Sequence, residues 1–325
     1  MDIHLVDGTY ELFRHFYALP PHVTARGEEV AATRGVLGSI AGMLESGVTH
    51  IGVATDHVIE SFRNDIWPGY KTSEGVDPRL LAQFTLFEDA LRAMGVVVWP
   101  MVELEADDAL AAAAASLSAF SKVNRVYICS PDKDLAQCVR TNRVVQLDRR
   151  TGTLRDEAGV RDRFGVPPSS IPDYLALVGD SADGYPGLQG WGERSTATVL
   201  GLYGHLEAIP PDATDWEVHP RGAERLAATL QENFQLALLF RGLATLRTKE
   251  PMIASTDELY WRGPNATFAA TCKRLEAPQL TGLAAELAAA LKPSSPGPPR
   301  TSPKRREQPR IAQKQARYAK TNPRN

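Results

Sequence analysis

The sequence is poor in cysteine. Its three thiols, Cys129, Cys138 and Cys272, are odd in number and show no CxxC spacing. That argues against a disulfide framework and a cysteine-built zinc site, and suits reduced thiols in the cytosol. Long apolar runs are missing too, since no stretch approaches the ~18 residues of a membrane helix. A cationic leader is also absent: the first apolar segment starts at Ile3 and is interrupted by Asp7. The expectation is a cytoplasmic protein with no membrane span.

Bulk composition shows no bias. The chain is 43% hydrophobic and 23% charged, ordinary for a globular protein, and 325 residues fit one large domain or two ordinary ones. The net charge of −3 hides a split. Residues 300–325 hold nine Lys/Arg against Glu307, a net of +8, which leaves 27 basic and 38 acidic residues before them, a net of −11.

Periodicity divides the chain. Strand-like runs at Ile3–Val6, His50–Ala54, Val96–Trp99, Arg125–Cys129 and Val144–Leu147 alternate with helical patterns at Tyr10–Leu19, Thr33–Glu45, Leu80–Met94, Glu105–Leu117 and Asp132–Val139. This alternation predicts an α/β core over residues 1–150 with a mainly parallel, doubly wound sheet. An irregular stretch near 58–80 interrupts it, and irregular segments of that length are usually functional. Residues 151–291 read as mostly helical. From 292 the Pro/Ser-rich and then basic composition predicts a disordered tail, either a flexible arm that adds phosphate contacts or a plain solvated terminus.

Carboxylates recur where a doubly wound sheet collects ligands, at the carboxyl ends of strands. Asp7 and Asp56 end the first two strands. Glu105, Asp107 and Asp108 follow the third, and Asp132 and Asp134 the fourth. Asp180 and Asp183 come from GDSADGYPGLQGWGERSTATVL, three residues apart and on one face of a helical turn. Singly, each acid could be a turn residue or a helix-start acid. So many cannot converge ionised without cations. Oxygen donors without His or Cys suit two Mg²⁺ or Mn²⁺ ions, an arrangement that hydrolyses phosphodiesters. Behind Asp183, Gly187, Gly190 and Gly192 form a turn before a helix, where backbone N–H groups can approach a phosphate.

Together LVDGTYELFRHFYALP, SFRNDIWPGYK, ELEADD, SPDKDLAQCV and the Gly179–Leu200 stretch resemble the structure-specific 5′-nucleases, or flap endonucleases, over roughly residues 3–250. The likeness is to the 5′-3′ exonuclease domain of bacterial DNA polymerase I, as a stand-alone member. It implies a PIN-like nuclease core, a helical arch near 58–80, and a helix-three-turn-helix (helix-hairpin-helix) element near 172–203. It also implies metal ligation by Asp7, Asp56, Glu105, Asp107, Asp108, Asp132, Asp134, Asp180 and Asp183. Lys71 and Arg63 would contact the scissile phosphate; alone, they could equally be surface cations. Arg14 lies where the family keeps a basic residue near substrate, and Tyr70 either stacks on a base or packs. The hairpin, with Gly187, Gly190, Gly192, Arg194, Ser195 and Thr196, would hold the duplex with a potassium ion.

Three positions depart from the family pattern: Gly75 in the arch, where a basic residue is usual, Gly184 in place of Asn, and Trp191 in place of an aliphatic residue. The implied activity is 5′-3′ exonuclease and flap endonuclease cleavage in DNA replication or repair, by a monomer at the nucleoid. The substrate would be flapped or nicked DNA or an RNA–DNA primer. Two other classes stay open: a catalytically idle junction-binding protein, which the charge-poor arch would suit, and a related ribonuclease, which would not need the hairpin.

Overall fold

Residues 1–291 are described by the structure, a computed structural model; the expected tail lies outside the described residues. The first half runs β1 (Asp2–Asp7), α1 (Gly8–Ala18), α2 (Ala31–Glu45), β2 (His50–Asp56), α3 (Phe62–Ile66), α4 (Pro78–Leu81), α5 (Gln83–Ala93), β3 (Val97–Met101), α6 (Ala106–Ser118), β4 (Arg125–Cys129), β5 (Val144–Asp148) and β6 (Thr153–Arg155). The second half is helical: α7 (Glu157–Phe164), α8 (Ile171–Val178), α9 (Glu193–Tyr203), α10 (Ala223–Glu232), α11 (Phe234–Ala244), α12 (Phe268–Arg274) and α13 (Gln279–Ala290). Residues 1–290 form one compact unit.

The sheet order is β3-β2-β1-β4-β5-β6, parallel except for β6. Crossover helices force this arrangement, because parallel neighbours need a long return connection. The register pairs Asp7 with Ala54 and Asp56 with Met101, so the exits of β1, β2 and β3 open at one edge. Every residue of β2 is buried, as expected of a strand covered on both faces. α6 packs along β1 to β4; its run of alanines lets the helix lie close to Ile3, Leu5, Val126 and Ile128.

Three local features differ from the sequence reading. The Leu80–Met94 pattern is split between α4 and α5 at Ala82, because Asp77 caps Arg79 N–H (2.8 Å) and Pro78 starts a separate turn. The expected helix at Asp132–Val139 is a 3₁₀ turn, Asp134–Cys138. β6 has no clear period; its partner β5 and the turn held by Asp148, which accepts from Arg150 N–H (2.9 Å), create it.

A second apolar cluster lies in the helical half, where α8 packs on α11 and Tyr185 stacks on Phe240 at 5.5 Å. It reaches back to Tyr70, Ala136 and Val139 of the sheet half.

Candidate metal centre

The β1 exit comes first. Asp7 caps α1 by accepting from Tyr10 N–H (2.8 Å) and takes a second hydrogen bond from the Ser130 hydroxyl (2.8 Å). Asp56 accepts from Ala106 N–H at the start of α6 (2.6 Å). Both are buried. Burial pushes the Asp7 carboxyl up to about 7 against the hydrogen bonds of Tyr10 and Ser130, and Asp56 adds to the rise. Asp56 is pushed up to about 6 by burial, with Lys71 opposing. Lone buried carboxylates would simply stay protonated; a cluster of them is suited to exchange those protons for a cation.

Next come the third and fourth exits. Burial, then Asp132 and Asp7, hold Asp107 well above the carboxylate range. Asp132 keeps exposed surface, yet protein crowds it, and desolvation followed by Asp180 raises its carboxyl too. Crowding governs here, since the charged form suffers from water lost around the carboxylate even when its outer edge is wet. The chain after β4 turns so that Asp134, Asp180 and Asp183 each present an oxygen within 4.8 Å of the others. Asp134 is 5% exposed, and its Oδ1 is buried without a hydrogen-bond partner. Burial, Asp132 and Asp183 raise it well above its usual range. An orphaned, buried carboxylate oxygen facing two further carboxylates fits a hard divalent cation.

Two cations already serve the cluster. Lys71 Nζ bridges Glu105 Oε2 (2.8 Å) and Asp183 Oδ1 (2.9 Å). Burial opposes its charge, but Glu105, Tyr70 and Asp183 outweigh that and keep the ammonium charged. Glu105 is correspondingly held below its usual range: burial opposes, and Lys71 and Arg63 win. Lys133 Nζ pairs with Asp180 Oδ2 at 2.9 Å. The sequence reading passed over Lys133, Ser130 and Ser61, although all three neighbour predicted ligands or cations. Ser61 caps α3 and donates to Glu105 Oε1 at 2.6 Å.

Not every predicted site residue reaches this centre. Asp108 is fully buried and gives both oxygens to Arg63, Oδ2 at 2.7 Å and Oδ1 at 2.9 Å. Arg63 is 1% exposed, so its guanidinium points into the protein interior. Tyr70 is 3% exposed and donates to Glu105 Oε2 (3.3 Å), which makes it a packing residue. Arg14 pairs with Glu11 (2.5 Å), partly buried on α1.

The hairpin divides in two. Gly187 is buried against Gly179, with room for no side chain: a Cβ on Gly187 would lie 2.4 Å from Gly179 N. Thr196 is fully buried inside α9. Gly190, Gly192 and Arg194 are exposed at the start of α9, and Ser195 Oγ accepts from Gly192 N–H (3.1 Å). Trp191 packs inward on Trp216, its indole N–H donating to Leu226 O (3.2 Å).

Gly184 explains its departure from Asn. With φ +82, it would put a Cβ 2.0 Å from the carbonyl oxygen of Gly69. Its own carbonyl accepts from the Trp67 indole N–H (3.0 Å), and Lys71 N–H donates to Asp183 O (3.0 Å). The 67–71 segment is thereby docked, backbone to backbone, on the stretch that carries Asp180 and Asp183.

A parallel sheet, an all-carboxylate centre at its strand exits and a glycine hairpin behind that centre together define a class. The chain matches the 5′-3′ exonuclease, N-terminal resolvase-like domain over residues 2–165 and the 5′-3′ exonuclease, C-terminal SAM fold over residues 166–267. It is 32% identical over 265 residues to the 5′-3′ exonuclease of Aquifex aeolicus, covering 79% of this chain and 88% of that one. It is 34% identical over 266 residues to DNA polymerase I of Pseudomonas aeruginosa, covering 79% of this chain but spanning only 28% of the polymerase's length. Among solved structures, the T5 5′-exonuclease with bound divalent zinc ions superposes with a TM-score of 0.59 at 18% identity, covering 89% of this chain and all of that one. Flap endonuclease-1 from Methanococcus jannaschii gives 0.55 at 13%, covering 89% and 92%. The chain belongs to the 5′-3′ exonuclease family.

Proposed function

We propose that this chain is a divalent-metal-dependent 5′-3′ exonuclease and flap endonuclease acting on DNA at 5′ ends and at single-strand/duplex junctions. The observation that supports the reading is the trio of Asp134, Asp180 and Asp183, with an unpartnered buried oxygen on Asp134, beside the electrostatically coupled carboxyls of Asp7, Asp107 and Asp132. Asp7, Asp56, Glu105 and Asp107 would hold one Mg²⁺ or Mn²⁺, and Asp132, Asp134, Asp180 and Asp183 the other. Asp108, saturated by Arg63, is left out of the ligand set.

When bound, two such ions supply Lewis-acid polarisation of the phosphodiester and acidify a water nucleophile. The protein's own groups do the rest. The proton that the water loses passes to solvent. Lys71, poised between Glu105 and Asp183, offers its ammonium to the charge that develops on the phosphoryl oxygens. A P–O bond to water forms as the P–O3′ bond breaks, and the 3′ oxygen takes up a proton. The products are a 5′-phosphate and a 3′-hydroxyl.

The exposed rim of the hairpin, Gly190, Gly192 and Arg194, would grip the duplex phosphates without reading sequence, with K⁺ as a further ion there. The division of labour would be a nuclease core with its arch over 1–150 and a DNA-gripping helical region over 151–291, in a monomer at the nucleoid. Both DNA strands and RNA–DNA primers fit such backbone-directed binding. The deciding experiment incubates the protein and Mg²⁺ with labelled 5′-flap DNA, nicked duplex and single-stranded RNA. Cleavage of the DNA substrates is expected. No cleavage would leave an idle junction-binding protein, and cleavage of RNA alone a ribonuclease.

A further inference from the structure

The end of α11 and the residues after it, 243–247, are hydrogen-bonded to side chains that neighbour both groups of candidate ligands. Gln137 ties this segment to one group. Its Nε2 donates to Ala244 O (2.9 Å) and to Asp134 O (2.8 Å), and its Oε1 accepts from Leu246 N–H (3.0 Å). Arg63 and Asp108 tie it to the other group. Arg63 Nε donates to Leu243 O (2.7 Å), and Arg247 N–H donates to Asp108 Oδ1 (2.9 Å). Asp108 Oδ2 in turn accepts from Glu105 N–H (3.1 Å), and Arg63 Nη1 donates to Glu105 Oε1 (3.1 Å).

The Arg63–Asp108 pair need not be there for stability, since a buried ion pair is often no better than well-packed hydrocarbon of the same volume. What hydrocarbon cannot supply is direction. Gln137 fixes the backbone that carries Asp134, and Asp108 fixes the backbone that carries Glu105. Both reach the same five-residue strap. Groups around a metal's ligands set its geometry, and ligand placement matters at the level of about 0.5 Å.

We propose that the 243–247 strap is a positioning template, with Gln137, Arg63 and Asp108 as positioning residues that set the spacing between the Glu105–Asp107 pair and the Asp134–Asp180–Asp183 trio. The proposal rests on reading that cluster as a metal centre. It gives Asp108 and Arg63 a role that is neither metal ligation nor phosphate contact, and it brings in Gln137 and the end of α11.

The test is calorimetric titration of Mn²⁺ into the full-length protein without DNA. The variants are Gln137→Met, which keeps side-chain length and removes all three hydrogen bonds, Asp108→Asn, and the pair combined. Each single variant is expected to weaken Mn²⁺ binding about 10-fold, the scale for groups that support metal ligands, with an unchanged circular dichroism spectrum. Because both act through one strap, the double variant should weaken binding by clearly less than the product of the two singles. Cleavage by Gln137→Met should recover as Mn²⁺ is raised, and the unchanged metal-free circular dichroism spectrum separates that recovery from refolding. Wild-type Mn²⁺ affinity in folded Gln137→Met overturns the proposal, whether or not Asp108→Asn folds. The two readings fail separately: if the wild type binds Mn²⁺ and Gln137→Met binds it weakly but neither cuts DNA, the strap stands and the nuclease assignment falls.

Discussion

Asp134 keeps a buried oxygen without a partner, at a cost of about 1–3 kcal/mol in the absence of a cation. Asp134→Asn is therefore expected to leave folding intact, or to raise thermal stability in EDTA, while cutting the cleavage rate by roughly 100-fold or more. Gel-shift binding of flap DNA in Ca²⁺ should change far less; retained cleavage would remove Asp134 from the ligand set. The same site predicts a pH effect. Asp7 and Asp56 have folded-state values of about 7 and about 6, above the ordinary 3.8, so folding takes up protons. The stability this contributes is complete below about pH 4 and is lost as pH rises through 6 to 7. In EDTA the melting temperature should fall across that window, and saturating Mn²⁺ should flatten the fall. A profile identical with and without metal would contradict the assignment. At this scale the sequence was legible where a strand ends in an acid, because topology alone brings strand ends together. It was not legible at Arg63 and Asp108. Their pairing joins residues 45 apart through the protein interior, and an EADD motif looks the same whether its last acid faces a metal or an arginine.

Elements dock here by backbone contact, which side-chain patterns do not announce. The 67–71 segment and the Asp180–Tyr185 turn meet at Gly69 and Gly184, and only glycine permits that approach at φ +82. Gly184→Ala should destabilise the fold by about 2 kcal/mol and lower the cleavage rate more than DNA affinity, since Lys71 would lose its seat beside Asp183. Denaturant melts and single-turnover rates check both halves; a neutral substitution would mean that the docking is incidental. At the start of α9, Arg194→Ala should weaken DNA binding on all sequences alike and reduce the salt slope by about one. Over residues 1–150 the strands of the parallel sheet and the long helices were readable from period to within two or three residues, whereas α12 and α13 were not singled out. β6 and the break at Ala82 were not, because a partner strand and a cap made them. Trp191 and Tyr70 were ambiguous for a related reason: an aromatic suits both a core and a stacking platform, and only burial decides.

For the molecule as a whole, charge distribution sets how DNA is met. The body before residue 300 carries −11 and residues 300–325 carry +8. With the body net negative, approach of a polyanion depends on cations, whether bound metal or the basic residues themselves. Removing residues 300–325 should weaken flap-DNA binding and make the log K against log salt plot shallower, by about 0.9 for each duplex phosphate that the segment had neutralised. Unchanged slopes would make that segment a bystander. Composition alone made this asymmetry legible; what it could not show is that Met1–Ala290 closes into one compact unit.

That closure bears on the order in which the chain is made. Asp7 leaves the ribosome first, Asp183 comes 176 residues later, and the strap at 243–247 later still. At ~5–20 residues per second, roughly ten seconds to most of a minute separate the first carboxylate from that strap. The nascent chain thus holds incomplete fragments of a metal centre until residues 243–247 emerge, and a polysome carries no competent nuclease on any chain shorter than that.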